Sequence, residues 1–217
     1  MLEQFTAFWP SIYFIIQGVG VTLKYSVSSV FLGLIIGVIL ALLKTSNTLI
    51  LRLFADGYTS IFRGTPLLIQ LSIIYFGLPS IIGVKLSVCA AGILAFSLNS
   101  GAYVSEIIRA GIKAVDKGQF EAAKALGIPP VLIMKDIILP QAIRHILPSL
   151  INELINLIKE SAIISMIGEM DLMRRAQVVA AEKFNFFLPM LVAAMVYYVL
   201  VLIISILAKR LEKKLAL

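Results

Sequence analysis

The chain has 217 residues, of which 60% are hydrophobic and 14% are charged, and its mean hydropathy is +1.00. A soluble domain is usually about 45–50% apolar and about 25% charged, so this composition excludes an ordinary soluble domain. The formal charge of +7 is typical of a membrane protein with basic cytoplasmic loops, and it does not require a nucleic-acid partner.

Five apolar stretches are long enough to be membrane-spanning helices, since one crossing uses about 20 apolar residues. Aromatic residues before the first stretch, among them Trp9 and Tyr13, indicate a short helix lying at the membrane surface. The sequence thus predicts one all-α, polytopic membrane domain over residues 1–217. The predicted spans are residues 21–43, 65–82, 88–108, 146–167 and 186–208.

The distribution of Lys and Arg predicts the orientation of these spans. With the N-terminus outside, 13 of the 19 basic residues lie in inner segments, five lie in outer segments, and Lys159 lies within a span. Cytoplasmic loops carry the excess of basic residues, so we expect the N-terminus outside and the C-terminus in the cytoplasm. The segment from Met1 to Thr6 has no basic residue, so a cleavable signal peptide is not expected.

Catalytic and metal chemistry are not expected. Cys89 is the single cysteine and His145 the single histidine, which excludes an internal disulfide and a multi-histidine metal site. The HExxH and GxSxG patterns are absent, and no Gly is followed by Lys, so a GxxxxGK[ST] phosphate-binding loop is absent too. We therefore expect a chain that is not an enzyme, binds no cofactor and does not hydrolyse ATP itself.

Small residues recur every four positions along the first span, at Gly33, Gly37 and Ala41. They leave one helix face nearly free of side chains, so we predict the close approach of another helix. A channel lining is the less favoured alternative, because these positions offer no polar group to a permeant.

The fourth span carries acidic residues, which are costly at mid-bilayer, by about 3 kcal/mol each on insertion scales, and usually mark a transport path. Glu153, Asn156 and Glu160 are spaced i, i+3 and i+7, so they are expected to share one helix face. We predict that they contact a substrate, with the carboxylates holding ammonium groups. The alternative is that Lys159 and Arg109 neutralise the two glutamates within the bundle.

A second polar stripe lies on the third span. Asn99, Tyr103 and Glu106 are spaced i, i+4 and i+7, and Glu106 is positioned to pair with Arg109 at i+3. Substrate contact and hydrogen bonding between helices both fit Asn99 and Tyr103. Gln70 of the second span is a weaker member of the same predicted substrate site.

The polar loop of residues 109–144 contains helix-capping and helix-breaking residues. A short helix is predicted from about Gln119 to Leu126, and a second short helix is predicted to run through Ile138. The capping residue is Asp116 and the helix-ending residues are Gly127, Pro129, Pro130 and Pro140. Such a helical pair on the cytoplasmic face indicates a docking element.

Seven positions of this loop resemble, in type and spacing, the EAA loop of permease subunits of bacterial ABC importers. They are Glu121, Ala122, Ala123, Gly127, Ile137, Leu139 and Pro140. The resemblance implies a coupling helix, which fits a groove on a separate ATP-binding subunit and transmits its closure to the membrane helices. An accidental amphipathic surface helix is the alternative, and the number of matched positions makes it the weaker one.

Two further segments resemble polar amino-acid permeases of the same group. Residues 63–66 and Gln70 match the RGTP segment, and residues 152–161 match the NEFI…LLK[DE][ST]S segment, with Leu154 where Phe is common. The resemblance covers most of the chain. It implies a permease of an importer for polar amino acids, which works by alternating access in the bacterial inner membrane. The two glutamates favour basic amino acids among them.

The family also implies partners. We expect a second permease copy or a homologous permease, ATP-binding subunits that carry ATP and Mg²⁺, surrounding lipid, and an extracytoplasmic binding protein. The outer segment from Glu169 to Lys183 is a candidate seat for that binding protein, although an exposed interfacial helix also explains it. The amino acid carried, the choice between homodimer and heterodimer, and the choice for Glu160 between substrate contact and pairing with Lys159 stay open.

Two functions of other classes are alternatives to the importer. An ion-coupled secondary transporter would use the intramembrane carboxylates for proton or sodium coupling, but no internal repeat is visible and the EAA pattern would be unexplained. A membrane scaffold would fit the composition, yet it has little need for glutamates at mid-bilayer.

Overall fold

The structure, a computed structural model, describes residues 2–215, so three terminal residues of the predicted domain lie outside it. The described residues are mostly helical, at 87%, and contain no strand. The elements are α1 (Leu2–Ile16), α2 (Val19–Thr45), α3 (Leu49–Gly64), α4 (Leu67–Ser72), a π segment (Ile73–Gly77), α5 (Leu78–Ile82), α6 (Val88–Lys113), α7 (Lys117–Ala125), α8 (Pro130–Leu132), a π segment (Ile133–Ile138), α9 (Leu139–Glu160), a 3-10 segment (Ser161–Ile167), α10 (Leu172–Glu182) and α11 (Phe187–Leu215).

Three helical segments among the described residues are long and apolar enough to cross a membrane, namely Trp9–Thr45, Val88–Lys113 and Phe187–Lys213. These correspond to the first, third and fifth predicted spans. The second predicted span belongs to a helix pair, α3 with α4 and α5, that bends by 104° and counts as a fourth crossing if it is one span. The fourth predicted span is not among these helices, because α9 carries Asn, Glu and Lys side chains along its second half.

α2 and α6 pack closely and run in the same direction. A Cβ added to Gly33 would lie 2.8 Å from the Ser100 Cβ, and one added to Gly37 would lie 2.5 Å from Val104 Cγ1. The small-residue face predicted on the first span is therefore confirmed as a site of close helix packing. Residue numbers rise together along the contact, so the two helices are parallel.

α9 runs antiparallel to α6 along most of its length. Gly111 near one end of α6 lies against Ile146, while Gly92 near the other end lies against Ile164. The chain from Ile146 to Ile164 therefore covers the same depth of the bundle as α6 itself.

The sequence does not predict α3, which lies between the first two predicted spans. This helix has one apolar side and one polar side, and its Arg and Asp residues interrupt the apolar run as loop residues would. Thr65 and Pro66 separate α3 from α4 in extended conformations, with ψ of 145° and 136°. A residue before proline avoids the α region, so the helix ends here.

The predicted end of a helix before Pro140 is wrong. The chain stays helical from Pro130 to Glu160, through the π segment Ile133–Ile138. The Leu139 N–H bonds the Met134 carbonyl five residues earlier, a wider turn that makes room for a proline ring and its missing N–H. A second π segment precedes Pro79 in the same way, with the Leu78 N–H on the Ile73 carbonyl.

Replacing Gly37 by Ala is expected to destabilise the chain by about 1–3 kcal/mol, the usual cost of overpacking a close contact. The added methyl would meet the stiff Val104 side chain at 2.5 Å and the Ser105 backbone nitrogen at 3.0 Å. Thermal unfolding of the purified protein measures this. Gly20→Ala on the same helix is the control, because nothing lies within 4 Å of its added Cβ; equal melting points for the two variants would contradict the close packing.

Candidate functional site

α9 does not place the predicted substrate residues on one surface. Glu153 is buried, at 7% exposure, while Asn156 and Glu160 are exposed. Glu153 faces α6, and Glu160 lies at the last turn of α9, where the 3-10 segment begins. Of the three residues, Glu153 is therefore a buried acid, and Asn156 and Glu160 lie on an exposed polar edge beside it.

Among the described residues, no basic side chain forms an ion pair with Glu153. The buried Ser100 hydroxyl of α6 lies next to its carboxyl, and in residues 2–215 this hydroxyl has no hydrogen-bond partner of regular geometry. Arg109 binds Glu106 on its own helix, as predicted for that pair, so it does not neutralise Glu153. In residues 2–215 no group of three or more His, Cys, Asp or Glu is placed to hold a metal ion, so Glu153 belongs to no metal cluster.

A polar stripe lies exposed along the outer face of α9. It lies in the second half of the helix, where Asn156 follows Asn152 by four residues and is itself followed by Lys159 and Glu160 after three and four residues. None of these side chains forms an ion pair within 4 Å in the described part of the chain, although the charge of Lys159 acts on Glu160. Lipid is a poor environment for such a face, so it requires a polar cavity or a polar partner. Asn152 was noted only as part of a motif, although its i, i+4 relation to Asn156 is visible in the sequence.

Gln70 and Asn99 meet at the break between α3 and α4. The Asn99 amide donates to Gln70 Oε1 at 3.0 Å and to the Phe62 carbonyl at 3.0 Å. Gln70 Nε2 donates to the carbonyls of Phe62 and Thr65 at 2.9 and 3.0 Å. Of the two alternatives for Asn99, hydrogen bonding between helices is thus present in the structure.

Tyr103 lies one turn further along α6 and is 38% exposed. The Arg63 guanidinium lies over its ring, 5.5 Å from the centroid, at the distance of a cation–π contact. The polar stripe of α6 therefore faces α3 rather than Glu153.

The loop of residues 109–144 contains α7 at the predicted place. Asp116 caps the helix by accepting a hydrogen bond from the Gly118 N–H at 2.7 Å. Gly127 ends it with φ of +74°, a left-handed conformation that favours glycine. Ala123 is buried against an apolar cluster that includes Ile133 and Ile138.

The remaining surface of α7 is open. Glu121 and Ala122 are exposed, and so are apolar side chains at both ends of the helix and just beyond it. These are Phe120 at 41%, Leu126 at 80% and Val131 at 76% exposure. An exposed helix that carries apolar side chains beside polar ones is suited to a protein partner.

The segment of residues 169–183 forms hydrogen bonds with the start of α2. The Tyr25 hydroxyl donates to Glu169 at 2.7 Å, and the Leu172 N–H contacts Thr22 Oγ1 at 3.4 Å. One side of α10 is buried on Ile15 and on the start of α11. Its other side exposes Arg174, so that side is the one open to a partner.

Asp171 caps α10 from a fully buried position. Its carboxyl accepts from the Arg174 N–H at 2.8 Å and from the Tyr197 hydroxyl at 3.4 Å. Burial raises the pKa of this carboxyl to about 6, against the lowering effect of these hydrogen bonds.

This raised pKa predicts a pH dependence of stability. Between about pH 4 and pH 6 folded Asp171 holds a proton that the unfolded chain has lost, so stability falls as pH rises through this window and is level above it. The full effect is about 3 kcal/mol. Asp171→Asn keeps an acceptor for the Arg174 N–H and is expected to make this slope shallower in thermal unfolding curves between pH 4 and 7. The same slope in both proteins would contradict the assignment.

The chain is similar to known transport proteins over nearly its whole length. A family described as "Binding-protein-dependent transport system inner membrane component" matches residues 33–217. The putative glutamine transport system permease protein GlnP of Rickettsia conorii is 68% identical over 99% of this chain and 98% of its own length. The arginine transport system permease protein ArtQ of Bacillus subtilis is 52% identical over 98% of this chain and 97% of its own length.

Solved structures agree with the fold. A chain in the crystal structure of an amino acid ABC transporter with histidines has a TM-score of 0.92 and 41% identity, covering 99% of this chain and 98% of that chain. A chain of the methionine transporter MetNI in an inward-facing form has a TM-score of 0.79, covering 95% of this chain and 98% of that chain. Its sequence identity is 21%, so this likeness supports the fold alone.

Proposed function

The chain belongs to the family of binding-protein-dependent transport system inner membrane components and is a permease subunit of an amino-acid ABC importer, and we propose that its substrates are basic amino acids. The printed names of its relatives include both glutamine and arginine permeases, so the proposal comes from the chemistry of the site. Glu153 and Glu160 are two carboxylates that form no ion pair within 4 Å in the part of the chain that the structure describes. Together they suit the α-ammonium and the side-chain cation of arginine, lysine or histidine.

We propose five membrane crossings with the N-terminus outside. Because α2 and α6 are parallel, the chain between them has to return across the membrane, which makes the bent pair of α3 with α4 and α5 one broken span. α9 is antiparallel to α6 over its length and serves as a further crossing despite its polar face. The basic residues then fall mainly on the cytoplasmic side.

The single observation that carries the proposed substrate path is the exposed polar stripe on α9. A stripe of Asn, Lys and Glu side chains inside the membrane needs a polar surface opposite it. A second permease copy, or a homologous permease, placed against α9 would enclose this stripe and create a polar path between the two subunits. Gln70 and Tyr103 are proposed as further contacts along that path, and Asn99 positions Gln70.

We propose that α7 is the coupling helix. Ala123 anchors it to the bundle, while Glu121, Ala122 and the turn at Gly127 are left for the ATP-binding subunit. Closure of that subunit around ATP and Mg²⁺ would move α7 and turn the path outward, and hydrolysis would reset it inward. The extracytoplasmic binding protein would dock on the outer side of α10.

Reconstitution of the complex with its ATP-binding subunit and binding protein tests the proposal. Competition of arginine, lysine, histidine, glutamine and glutamate for ATP-driven uptake into proteoliposomes gives the order of preference. We expect the three basic amino acids to compete best. Preference for glutamine would overturn the proposed substrate class, and uptake driven by an ion gradient without ATP would overturn the importer mechanism.

A further inference from the structure

α3 lies against the bundle through a polar edge rather than an apolar core. Of its 16 residues only Ala55 and Thr59 are buried, and none belongs to the apolar core clusters of the described chain. Large apolar side chains on its far side are exposed, Leu53 by 60% and Phe54 by 61%. Polar contacts therefore decide where α3 lies.

Asn99 and Gln70 donate to the Phe62 carbonyl of α3, and the Tyr58 hydroxyl of α3 donates to the Leu98 carbonyl of α6 at 2.9 Å. Lys44, at the end of α2, adds a buried charged contact. Its side chain is 7% exposed, and its Nζ lies 3.2 Å from Asp56 Oδ1 and 2.7 Å from Thr59 Oγ1, both on α3. The same Nζ lies 2.5 Å from Glu106 Oε1 on α6. One ammonium group thus joins three helices.

Glu106 gathers the other charges of this cluster. Arg63 of α3 lies 3.9 Å from its carboxylate, and Arg109 of α6 donates to it directly. Both guanidinium groups are 45% exposed, whereas Lys44 is almost completely buried. A buried charge is tolerated only when it is paired. Glu106 of α6 pairs with Lys44, and Asp56 and Thr59 of α3 complete the contacts of the ammonium group.

The other arm of the bent pair is held differently. Beyond the break at Thr65, Leu67 and Leu71 of α4 lie in the apolar core with Tyr25 and Phe96. Because α3 has no such packing, its separation from α6 would expose no apolar core. It would break ion pairs and the hydrogen bonds of Tyr58 and of the Phe62 carbonyl, and these groups can bind water instead. Residues at the ends of helices are the usual hinges of such movements.

We propose that Lys44 is the positioning residue that holds α3 across α6, and that the ion pairs around Lys44 open and re-form as the permease alternates between its two states. The proposal rests on the proposed alternating-access function and adds a moving part to it. Lys44 touches no proposed substrate residue, so it acts through the placement of α3.

A nitroxide label on α3 tests this in the complex with the ATP-binding subunit, embedded in nanodiscs. Leu53 is replaced by Cys in a Cys89→Ala background, since Cys89 is the single native cysteine, and the mobility of the label is read from its spectrum. The variants are Lys44→Met and Lys44→Arg. Arg109→Gln is the matched control, because Arg109 binds Glu106 from the same helix and does not hold α3.

We expect Lys44→Met to mobilise the label and to reduce ATP-driven uptake about tenfold. The rate of ATP hydrolysis is expected to stay within about twofold of the parent complex, because the variant loses the coupling between hydrolysis and transport. Lys44→Arg and Arg109→Gln are expected to keep both the immobile spectrum and the uptake. In the labelled protein that keeps Lys44, addition of ATP with vanadate is expected to change the label's mobility relative to the nucleotide-free state.

An immobile label in Lys44→Met, or the same spectrum in both nucleotide states, would overturn the proposal. If Lys44→Met does not assemble, Glu106→Gln replaces it, and there too an unchanged label contradicts the proposal. Absence of ATP-driven uptake by the parent complex would instead count against the importer function, and the label in the nucleotide-free protein would still report whether Lys44 holds α3.

Discussion

Replacing Glu153 by Gln is expected to lower uptake at limiting substrate concentration by about tenfold to hundredfold, while the complex still assembles and binds its ATP-binding subunit. The variant keeps the size of the side chain and removes its charge. A hydrogen bond to a charged group contributes about 1.5–3 kcal/mol, which sets the size of the expected loss. Uptake by proteoliposomes over a range of substrate concentrations measures it.

Two further variants make this result specific. Glu212→Gln removes a carboxylate near the cytoplasmic end of α11 and is expected to leave uptake unchanged. Glu160→Gln separates the two alternatives for that residue: reduced affinity for basic amino acids alone indicates substrate contact, and no change indicates a role with Lys159. Unchanged kinetics in Glu153→Gln would remove Glu153 from the substrate path.

Replacing Leu126 by Asp is expected to detach the ATP-binding subunit, with at least about a hundredfold loss of its affinity. Leu126 is 80% exposed at the end of α7, so the folded permease tolerates a charge there. A partner that covers this position would bury an unpaired carboxylate, at a cost of several kcal/mol. Titration of the purified permease with the ATP-binding subunit measures the loss.

The matched control makes the same chemical change on the opposite side of the molecule. Phe184 is 98% exposed beside the start of α11, which the proposed topology places outside, and Phe184→Asp is expected to leave ATP-binding-subunit affinity unchanged. Equal affinities for the two variants would show that the partner does not cover the end of α7.

The sequence contained the local features of this fold. Asp116 and Gly127 delimit α7 through signals that act over a few residues, a cap and a left-handed turn, so the helix was predicted within two residues at its start. The small-residue face at Gly33 and Gly37 likewise indicated a close helix contact, because its period is that of one helix.

Features that depend on distant contacts were not predictable in the same way. Lys44 looked like the end of an apolar run, since its partners Asp56 and Glu106 are 12 and 62 residues away. The sequence predicts a loop in place of helix α3, because Asp56 and Arg63 meet their partners Lys44 and Glu106 only in the folded bundle. Pro140 looked like a helix end, since a π segment that accommodates it has no simple sequence pattern.

The candidate substrate site was predicted in composition but not in arrangement. The spacing of Glu153 and Glu160 gives similar directions on an ideal helix, yet only Glu153 is covered by α6. Which face of α9 is buried depends on the crossing of α6 and α9, and this cannot be read from the period of one helix.

Photo-cross-linking from α7 in native membranes tests the central claim most directly. A photoreactive amino acid at Ala122, which is exposed and forms no part of the core, should give one adduct, with the ATP-binding subunit on the cytoplasmic side. An adduct with lipid alone, or with a protein on the extracytoplasmic side, would contradict the account.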